Sequence, residues 1–126
     1  MVVIKQITVE TILQLHDMAI KRYGGSRGIL HEGTVHHVVQ ECSYRYEPID
    51  QAAYLLHGIA TKHPFFDGNK RTALLVALAT LASQGLGITA TNEDVAEFVL
   101  LVAQGKKTEE QVRLWLFLHH EKRDGY

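Results

Sequence analysis

Apolar residues recur at intervals of three and four along most of the chain, which is the spacing of one face of an α-helix. Thr8 can cap a first helix, and Gly24 and Gly25 end it. Its apolar positions are Val9, Ile12, Leu13 and Ile20. His16 falls on the same face, so we expect a partly buried, hydrogen-bonded histidine there rather than a metal ligand.

The same spacing predicts five further helices, with Gly and Pro residues between them. They are expected at 33–42, from Pro48 to near His63, from Asn69 to about Gln84, from the cap Asn92 to Gly105, and from Thr108 onward. The last opens with a capping box, Thr108-Glu-Glu-Gln111. We expect it to bury Val112, Trp115, Leu116 and Leu118.

Strands are not expected from this pattern, because no stretch alternates apolar and polar residues convincingly. Residues 1–7 form a short apolar lead-in, and the charged tail 119–126 is expected to fray. The chain is therefore predicted to be all-α, with about six helices around a central hairpin formed by the third and fourth.

Composition narrows the class of protein without defining it. The chain has 126 residues, enough for one domain (1–126), with 46% hydrophobic and 21% charged residues. A net charge of −1, with no basic stripe, gives no general attraction to nucleic acid or membranes and disfavours a nuclease. The apolar run 73–82 is about half of the ~20 residues that a membrane span needs. A single cysteine, Cys42, fits a packing residue in a reducing cytoplasm.

One stretch carries more polar chemistry than packing requires, and it reads HPFFDGNKRTA from position 63. Pro64 disfavours helix at the residue before it, so His63 is expected at a helix end, facing a loop. Phe65 is expected to plug inward and fix that loop. Asp67 and Gly68 form a turn signal before the next helix. The stretch thus predicts a histidine and a carboxylate on one short loop.

The helix that begins at Asn69 would place its free N–H groups and positive dipole end beside that loop. Lys70 and Arg71 add two cations in a first turn, where they oppose the dipole unless an anion is present. A base that titrates near neutrality, a carboxylate for a hard cation and a cationic helix start suit Mg-nucleotide chemistry on a hydroxyl. Taken singly, His63 fits an ordinary capping or surface histidine, and only the combination favours a site.

A second stretch, Tyr23–Leu30, contains three glycines and so adopts backbone shapes or close approaches that side chains forbid. It fits either a plain connector or a rim over the site that touches substrate or partner, in which case Tyr23, Gly24, Gly25 and Arg27 are the rim residues. Three histidines nearby lack the spacing of a zinc site. They are His31, His36 and His37.

The stretch from His63 resembles the signature of the Fic/Doc superfamily, His-x-Phe-x-(Asp/Glu)-(Gly/Ala)-Asn-x-Arg. Its Asn-Lys-Arg-Thr continuation is similar to the death-on-curing (Doc) toxin branch. A second match upstream, in the same order as in that branch, comprises Leu15-His-Asp17, Arg22-Tyr-Gly-Gly25 and Gly28. The likeness extends over nearly the whole chain, although His31 stands where family members usually carry an acidic or other polar residue.

The resemblance implies a reaction. Adenylyl-transferring members carry Gly before the first Arg of the motif and a second Arg three positions later. Lys70 and Leu74 stand there in this chain. This departure resembles the Doc branch, in which ATP is understood to bind reversed, with its γ-phosphate facing the histidine. The implied activity is phosphoryl transfer from ATP to a Ser or Thr hydroxyl of a protein, with elongation factor Tu the target by analogy.

Roles follow as a hypothesis. His63 accepts the proton of the attacking hydroxyl, and Asp67 holds Mg²⁺ or orients the acceptor. The backbone of Gly68 and the side chain of Asn69 grip phosphate, and the two cations of the helix start, Lys70 and Arg71, offset charge on the transferred oxygens. An adenylyltransferase and a catalytically idle interaction module remain the alternatives.

Regulation is expected from another protein. Some superfamily members carry an inhibitory helix of the form (Ser/Thr)-x3-Glu-(Gly/Asn), whereas here Thr89-x3-Glu93 is followed by Asp94. By analogy with the Doc branch, the inhibitor would be an antitoxin whose disordered tail folds into a groove on the helical surface.

Overall fold

A computed structural model describes residues 6–123, which fold mainly as helices. The lead-in residues 1–5 and the last three residues, 124–126, lie outside the described part. The helices are α1 Val9–Tyr23, α2 Glu32–Cys42, α3 Pro48–Lys62, α4 Asn69–Ala82, α5 Asn92–Ala103 and α6 Glu109–His119. The prediction of an all-α fold of about six helices is confirmed.

Two helix starts match their predicted caps. At α1, Thr8 Oγ1 accepts a hydrogen bond from the backbone N–H of Thr11 at 3.1 Å. At α6, Thr108 and Gln111 form the reciprocal capping box, with each side chain bonded to the other residue's backbone N–H. Local side chains therefore fix where these helices begin.

Two predictions about α5 and α6 are wrong in detail. Thr91, rather than Asn92, caps α5, because its hydroxyl accepts from the backbone N–H of Asp94 at 3.0 Å while Asn92 is already helical. Leu118, expected to be buried, is 68% exposed. It lies in the last turn of α6, just before the chain becomes extended.

Two short strands, β1 (Leu86–Ile88) and β2 (His120–Lys122), pair in the antiparallel sense, with Leu86 opposite Lys122. The prediction that the chain has no strands is therefore wrong. The prediction that the tail frays is also wrong for the residues up to 123. Three-residue strands are too short to show an alternating pattern, and their partners are far apart in sequence. Thr89, whose backbone N–H donates to the His119 carbonyl at 2.7 Å, extends the pairing.

The core is organised around α3, which buries nine of its residues and packs against α2, α4, α5 and α6. Helix α4 packs on α3 and α1, so the loop between α3 and α4 starts and ends on buried helices. Cys42 is buried in this core, and burial raises the pKa of its thiol to about 11, which fits a packing residue. Among the described helices, none has the length and apolarity to cross a bilayer.

Candidate active site

His63 caps the C-terminal end of α3 in a left-handed conformation, with φ 48° and ψ 61°. Among residues 6–123 it is the one non-glycine residue with positive φ. Such a conformation costs free energy and persists only where the surroundings impose it. Its backbone N–H donates to the Ile59 carbonyl, and Pro64 prevents the helix from continuing. The imidazole is exposed and makes no hydrogen bond with the described residues.

The loop after His63 is held from within by Asn69, the first residue of α4. Its Oδ1 accepts from the Phe65 backbone N–H at 3.0 Å, and its Nδ2 donates to the Phe65 carbonyl at 2.9 Å. These two bonds leave one amide N–H free, so the side chain predicted to grip phosphate is mainly engaged in closing the loop. Phe65 itself is 1% exposed.

His16 reaches the same loop from α1. Its ring stacks on Phe65 with centroids 3.8 Å apart and an interplanar angle of 7°. Its Nε2 lies 2.9 Å from the Asp67 carbonyl oxygen, and because a carbonyl only accepts, Nε2 carries the proton. His16 is 6% exposed, so the expectation of a partly buried, hydrogen-bonded histidine is confirmed.

Asp67 presents its carboxylate to solvent with both oxygens already engaged. Oδ2 accepts from the Ser26 backbone N–H at 3.1 Å and Oδ1 from the Gly68 backbone N–H at 3.0 Å. The Ser26 N–H first, and then the Gly68 N–H, lower the pKa of this carboxyl group, with smaller contributions from Lys70 and Arg71. Each oxygen keeps lone-pair capacity, so the ionised group can still accept a further donor or a cation.

Helix α4 starts without a side-chain cap. Gly68 occupies the cap position at φ 76°, and its own N–H already donates to Asp67 Oδ1. Among residues 6–123, no side chain bonds the N–H groups of the turn that follows; α2 and α3 also lack a side-chain cap, whereas α1, α5 and α6 have one. Its first turn holds Lys70 and Arg71, both exposed, and no acidic residue. Free N–H groups, the positive dipole end and two cations make this helix start suited to an anion.

A cleft of about 610 Å³ opens in front of this helix start. One side is polar and the other is an apolar wall from α4 and α5. The polar side comprises Asp67, Gly68, Asn69, Lys70 and Arg71, and the apolar wall includes Leu74, Leu75, Val95, Ala96 and Val99. Tyr23 and Asn92 also line the cleft, whereas His63 does not. A ligand that extends from the helix start along the wall would combine anionic and apolar parts.

The Tyr23–Leu30 stretch lies against the motif loop. The Pro64 carbonyl accepts from the backbone N–H groups of Leu30 at 2.7 Å and His31 at 2.9 Å, and the Phe66 N–H donates to the Gly28 carbonyl at 3.3 Å. Arg27 lies 3.8 Å from the Asp17 carboxylate and is not among the residues that line the cleft. Of the four predicted rim residues, Tyr23 lines the cleft, whereas Gly24, Gly25 and Arg27 do not.

Gly25 shows why this stretch is rich in glycine. Its φ is 119°, and a Cβ at this position would lie 2.7 Å from Asp67 Oδ2. Gly24, with φ 85°, has nothing within 4 Å of the equivalent point. Close approach to the carboxylate thus requires glycine at position 25, while the backbone alone requires it at position 24.

Sequence reasoning missed three parts of this arrangement. It expected His16 to be hydrogen-bonded but did not connect it to the motif loop, and it did not identify the Ser26 N–H as a partner of Asp67. The α5 wall, including Asn92 and Val95, carried no motif at all. These contacts join distant parts of the chain, and residue type and spacing alone do not specify them.

Comparison with known proteins identifies a family over the part of the chain that contains both stretches of the site. A family model described as the Fic/DOC family matches residues 6–81. A protein of Escherichia phage P1 named "Protein kinase doc" is 33% identical over an alignment of 108 residues that covers 81% of this chain and 85% of the phage protein. The chain therefore belongs to the Fic/DOC family.

Proposed function

We propose that the chain is the toxin component of a toxin–antitoxin module that transfers the terminal phosphoryl group of ATP to a Ser or Thr hydroxyl of a translation factor. Elongation factor Tu is the target by analogy with the Doc branch. Modification of that factor would halt translation and growth in the cytoplasm. The name of the phage P1 relative, which describes a protein kinase, supports the type of reaction.

The observation that carries this proposal is the uncapped, doubly cationic start of α4 at the mouth of a cleft of about 610 Å³. Triphosphate oxygens fit the N–H groups, Lys70 and Arg71 at one end. A nucleoside fits the apolar wall at the other, where Leu74 takes the place of the second motif arginine of adenylyl-transferring relatives. Leu74 offers no charge to phosphates deeper in the cleft, which favours placing the terminal phosphoryl near the helix start.

The chemical step needs a base near the hydroxyl. The acceptor oxygen attacks the γ-phosphorus, the bond between that phosphorus and the β–γ bridging oxygen breaks, and ADP leaves. His63 takes the hydroxyl proton, since its exposed ring has no other partner among the described residues. Its place outside the cleft lining suits a base that meets the incoming protein rather than the nucleotide.

The residues present also fit Mg²⁺. No cluster of three or more His, Cys, Asp or Glu side chains arranged for a metal occurs between residues 6 and 123. Mg²⁺ is commonly held by one or two carboxylates together with substrate phosphates and water, and Asp67, ionised and exposed, supplies one carboxylate. When bound, the ion would neutralise charge on the phosphate oxygens.

Control by an antitoxin in trans is part of the proposal. Thr89 of the segment compared with the inhibitory helix lies outside α5, and its hydroxyl donates to the His119 carbonyl at 2.9 Å. Within the described part, the Thr89–Asp94 segment thus spans a strand extension and a helix start rather than an inhibitory helix. Inhibition of the toxin would then depend on a partner protein.

The test is mass spectrometry of elongation factor Tu after incubation with this chain, ATP and Mg²⁺. We expect the mass of one phosphoryl group on a Ser or Thr residue, gained about 10²–10⁴-fold more slowly with the His63→Asn variant. A gain of one adenylyl group would replace the kinase with an adenylyltransferase. An unmodified factor, under conditions where the chain labels another protein, would reject this target.

A further inference from the structure

Tyr23 ends α1 at the side of the cleft, next to Arg71 of α4. The Arg71 guanidinium carbon lies over the Tyr23 ring, 4.4 Å from its centroid. This distance is well within the range of about 6 Å for a cation–π interaction. Both residues line the cleft, and the ring is 53% exposed. The contact therefore joins the end of α1 to a cation of the proposed phosphate site.

Two opposite consequences are conceivable for a phosphate ligand. The ring would compete with phosphate if both needed the same part of the guanidinium, or it would assist if they used different parts. A guanidinium stacks through its planar face, whereas its five N–H groups donate from its edge. A guanidinium that lies flat on the Tyr23 ring keeps its edge available to phosphate oxygens, so the two contacts are compatible.

Stacking also reduces the cost of ordering Arg71. A free arginine side chain carries about 2 kcal/mol of rotamer entropy, part of which is lost when the side chain binds a ligand. Arg71 is exposed, and no salt bridge or side-chain hydrogen bond within the described part restrains it. The contact with the Tyr23 ring therefore limits its rotamers before a ligand arrives.

We propose that Tyr23 is a positioning residue, which holds the Arg71 guanidinium at the cleft so that phosphate meets a cation already in place. This inference rests on the proposed function, because it takes phosphate as the ligand. It assigns Tyr23 a role toward a residue of its own chain, which differs from the contact with substrate or partner expected of a rim residue.

A second arginine provides a matched control. The Arg22 guanidinium carbon lies 5.8 Å from the centroid of the same ring, but Arg22 does not line the cleft. The Arg22→Ala variant removes one cation from the ring and leaves the Arg71 contact. Tyr23→Phe keeps the aromatic face and removes the hydroxyl, whereas Tyr23→Leu keeps an apolar side chain and removes the ring.

The first readout is the NMR chemical shift of the Arg71 δ protons without ligand. The guanidinium carbon lies 4.4 Å from the ring centroid, and we expect the ring current to shift the neighbouring δ protons upfield. We expect the shift to persist in Tyr23→Phe and Arg22→Ala and to disappear in Tyr23→Leu. An Arg71 shift that is the same in Tyr23→Leu as in the unmodified chain would overturn the inference, whatever the chain phosphorylates.

The second readout is binding of inorganic tripolyphosphate by titration calorimetry, which needs no catalytic turnover. An exposed cation–π contact of ~0.5–1 kcal/mol corresponds to about 2–5-fold in affinity, at 1.4 kcal/mol per tenfold. We expect Tyr23→Leu to bind that much more weakly and Tyr23→Phe and Arg22→Ala to bind like the unmodified chain. Unchanged or tighter binding by Tyr23→Leu would overturn the role of Tyr23 while leaving the phosphate site. No binding by the unmodified chain would overturn both proposals.

Discussion

His63 illustrates at the scale of one residue how backbone and chemistry are linked. Its left-handed conformation places the ring at the end of α3 instead of along the helix. Asn tolerates this conformation at least as well as His, whereas Ala does not. Comparing His63→Asn with His63→Ala therefore separates loss of the imidazole from loss of the backbone geometry.

We predict that both His63 variants lower the rate of phosphoryl transfer by about 10²–10⁴-fold and leave ATP binding nearly intact, because the ring acts on the acceptor proton. Single-turnover kinetics and nucleotide titration measure the two effects separately. His36→Ala, at an exposed histidine of α2, is the control and should change neither. Equal loss of binding and turnover in His63→Asn would contradict the role as base.

Asp67 gives a prediction about pH. Because backbone N–H donors lower the pKa of its carboxyl group, its ionised form is favoured in the folded chain. Its contribution to stability is present above the ordinary pKa of aspartate, ~3.9, and is lost as the pH falls through the lower folded value. NMR titration of the Asp67 side-chain carboxyl carbon should give a midpoint below the ordinary value.

Gly25→Ala should raise the Asp67 pKa toward the ordinary value, because the new methyl group pushes the carboxylate away from the Ser26 N–H. Gly24→Ala introduces a Cβ at a comparable positive φ but with no neighbour within 4 Å, so it controls for backbone strain. We expect a higher Asp67 pKa in Gly25→Ala alone. Equal shifts in both variants would mean that strain, rather than contact, sets the pKa.

At the scale of elements, helix starts were predictable where one side chain bonds its own helix. Thr8 and Thr108 were identified as caps because the residue type and the following pattern agree. At α5 the adjacent residues Thr91 and Asn92 are both good caps by type, and the sequence does not distinguish between them. The structure resolves the choice in favour of Thr91.

Thr91→Ala should therefore lower the free energy of unfolding by about 1 kcal/mol, the usual effect of losing a cap. Asn92→Ala should change it by only a few tenths, since Ala is a good helix former at a position that is already helical. Urea denaturation of both variants measures the difference. A larger loss of stability in Asn92→Ala than in Thr91→Ala would mean that Asn92 is the cap, as the sequence analysis expected.

The docking of α1 onto the motif loop depends on His16. Replacing it with Leu leaves the Asp67 carbonyl without its donor, so we expect the free energy of unfolding to fall by about 1–3 kcal/mol. His16→Gln places an amide N–H near the position of Nε2 and should recover part of the stability and of the activity. If His16→Gln loses as much stability and as much activity as His16→Leu, packing against Phe65 rather than the hydrogen bond fixes the loop.

For the whole molecule, local and distant features differ in how far the sequence predicts them. The helices and the motif stretch are encoded within short windows, and their order along the chain was sufficient to suggest the family. The Ser26–Asp67 bond joins residues 41 positions apart, and the Leu86–Lys122 pair is comparably distant. Such contacts depend on how α1, α4 and α6 are arranged in the fold, which no short pattern contains.

The net charge of the molecule and the local charge at the site lead to different expectations. The net charge of −1 predicts no general partner, yet the start of α4 concentrates Lys70 and Arg71 with no acidic residue in its first turn. A low net charge together with a cationic cleft suits a small anionic ligand better than a polyanion such as nucleic acid. Ligand binding is thus expected to depend on the charges at the cleft and not on the net charge of the molecule.

The central claim is that the start of α4 holds the terminal phosphoryl group of ATP for transfer to a protein hydroxyl. The most direct measurement is to incubate the chain with a bacterial lysate and ATP labelled in either the γ- or the α-phosphate. Beyond the label in lysate without the chain, we expect protein-bound label from γ-labelled ATP alone, formed about 10²–10⁴-fold more slowly by His63→Asn. Label from the α position, or no label from either, would contradict it.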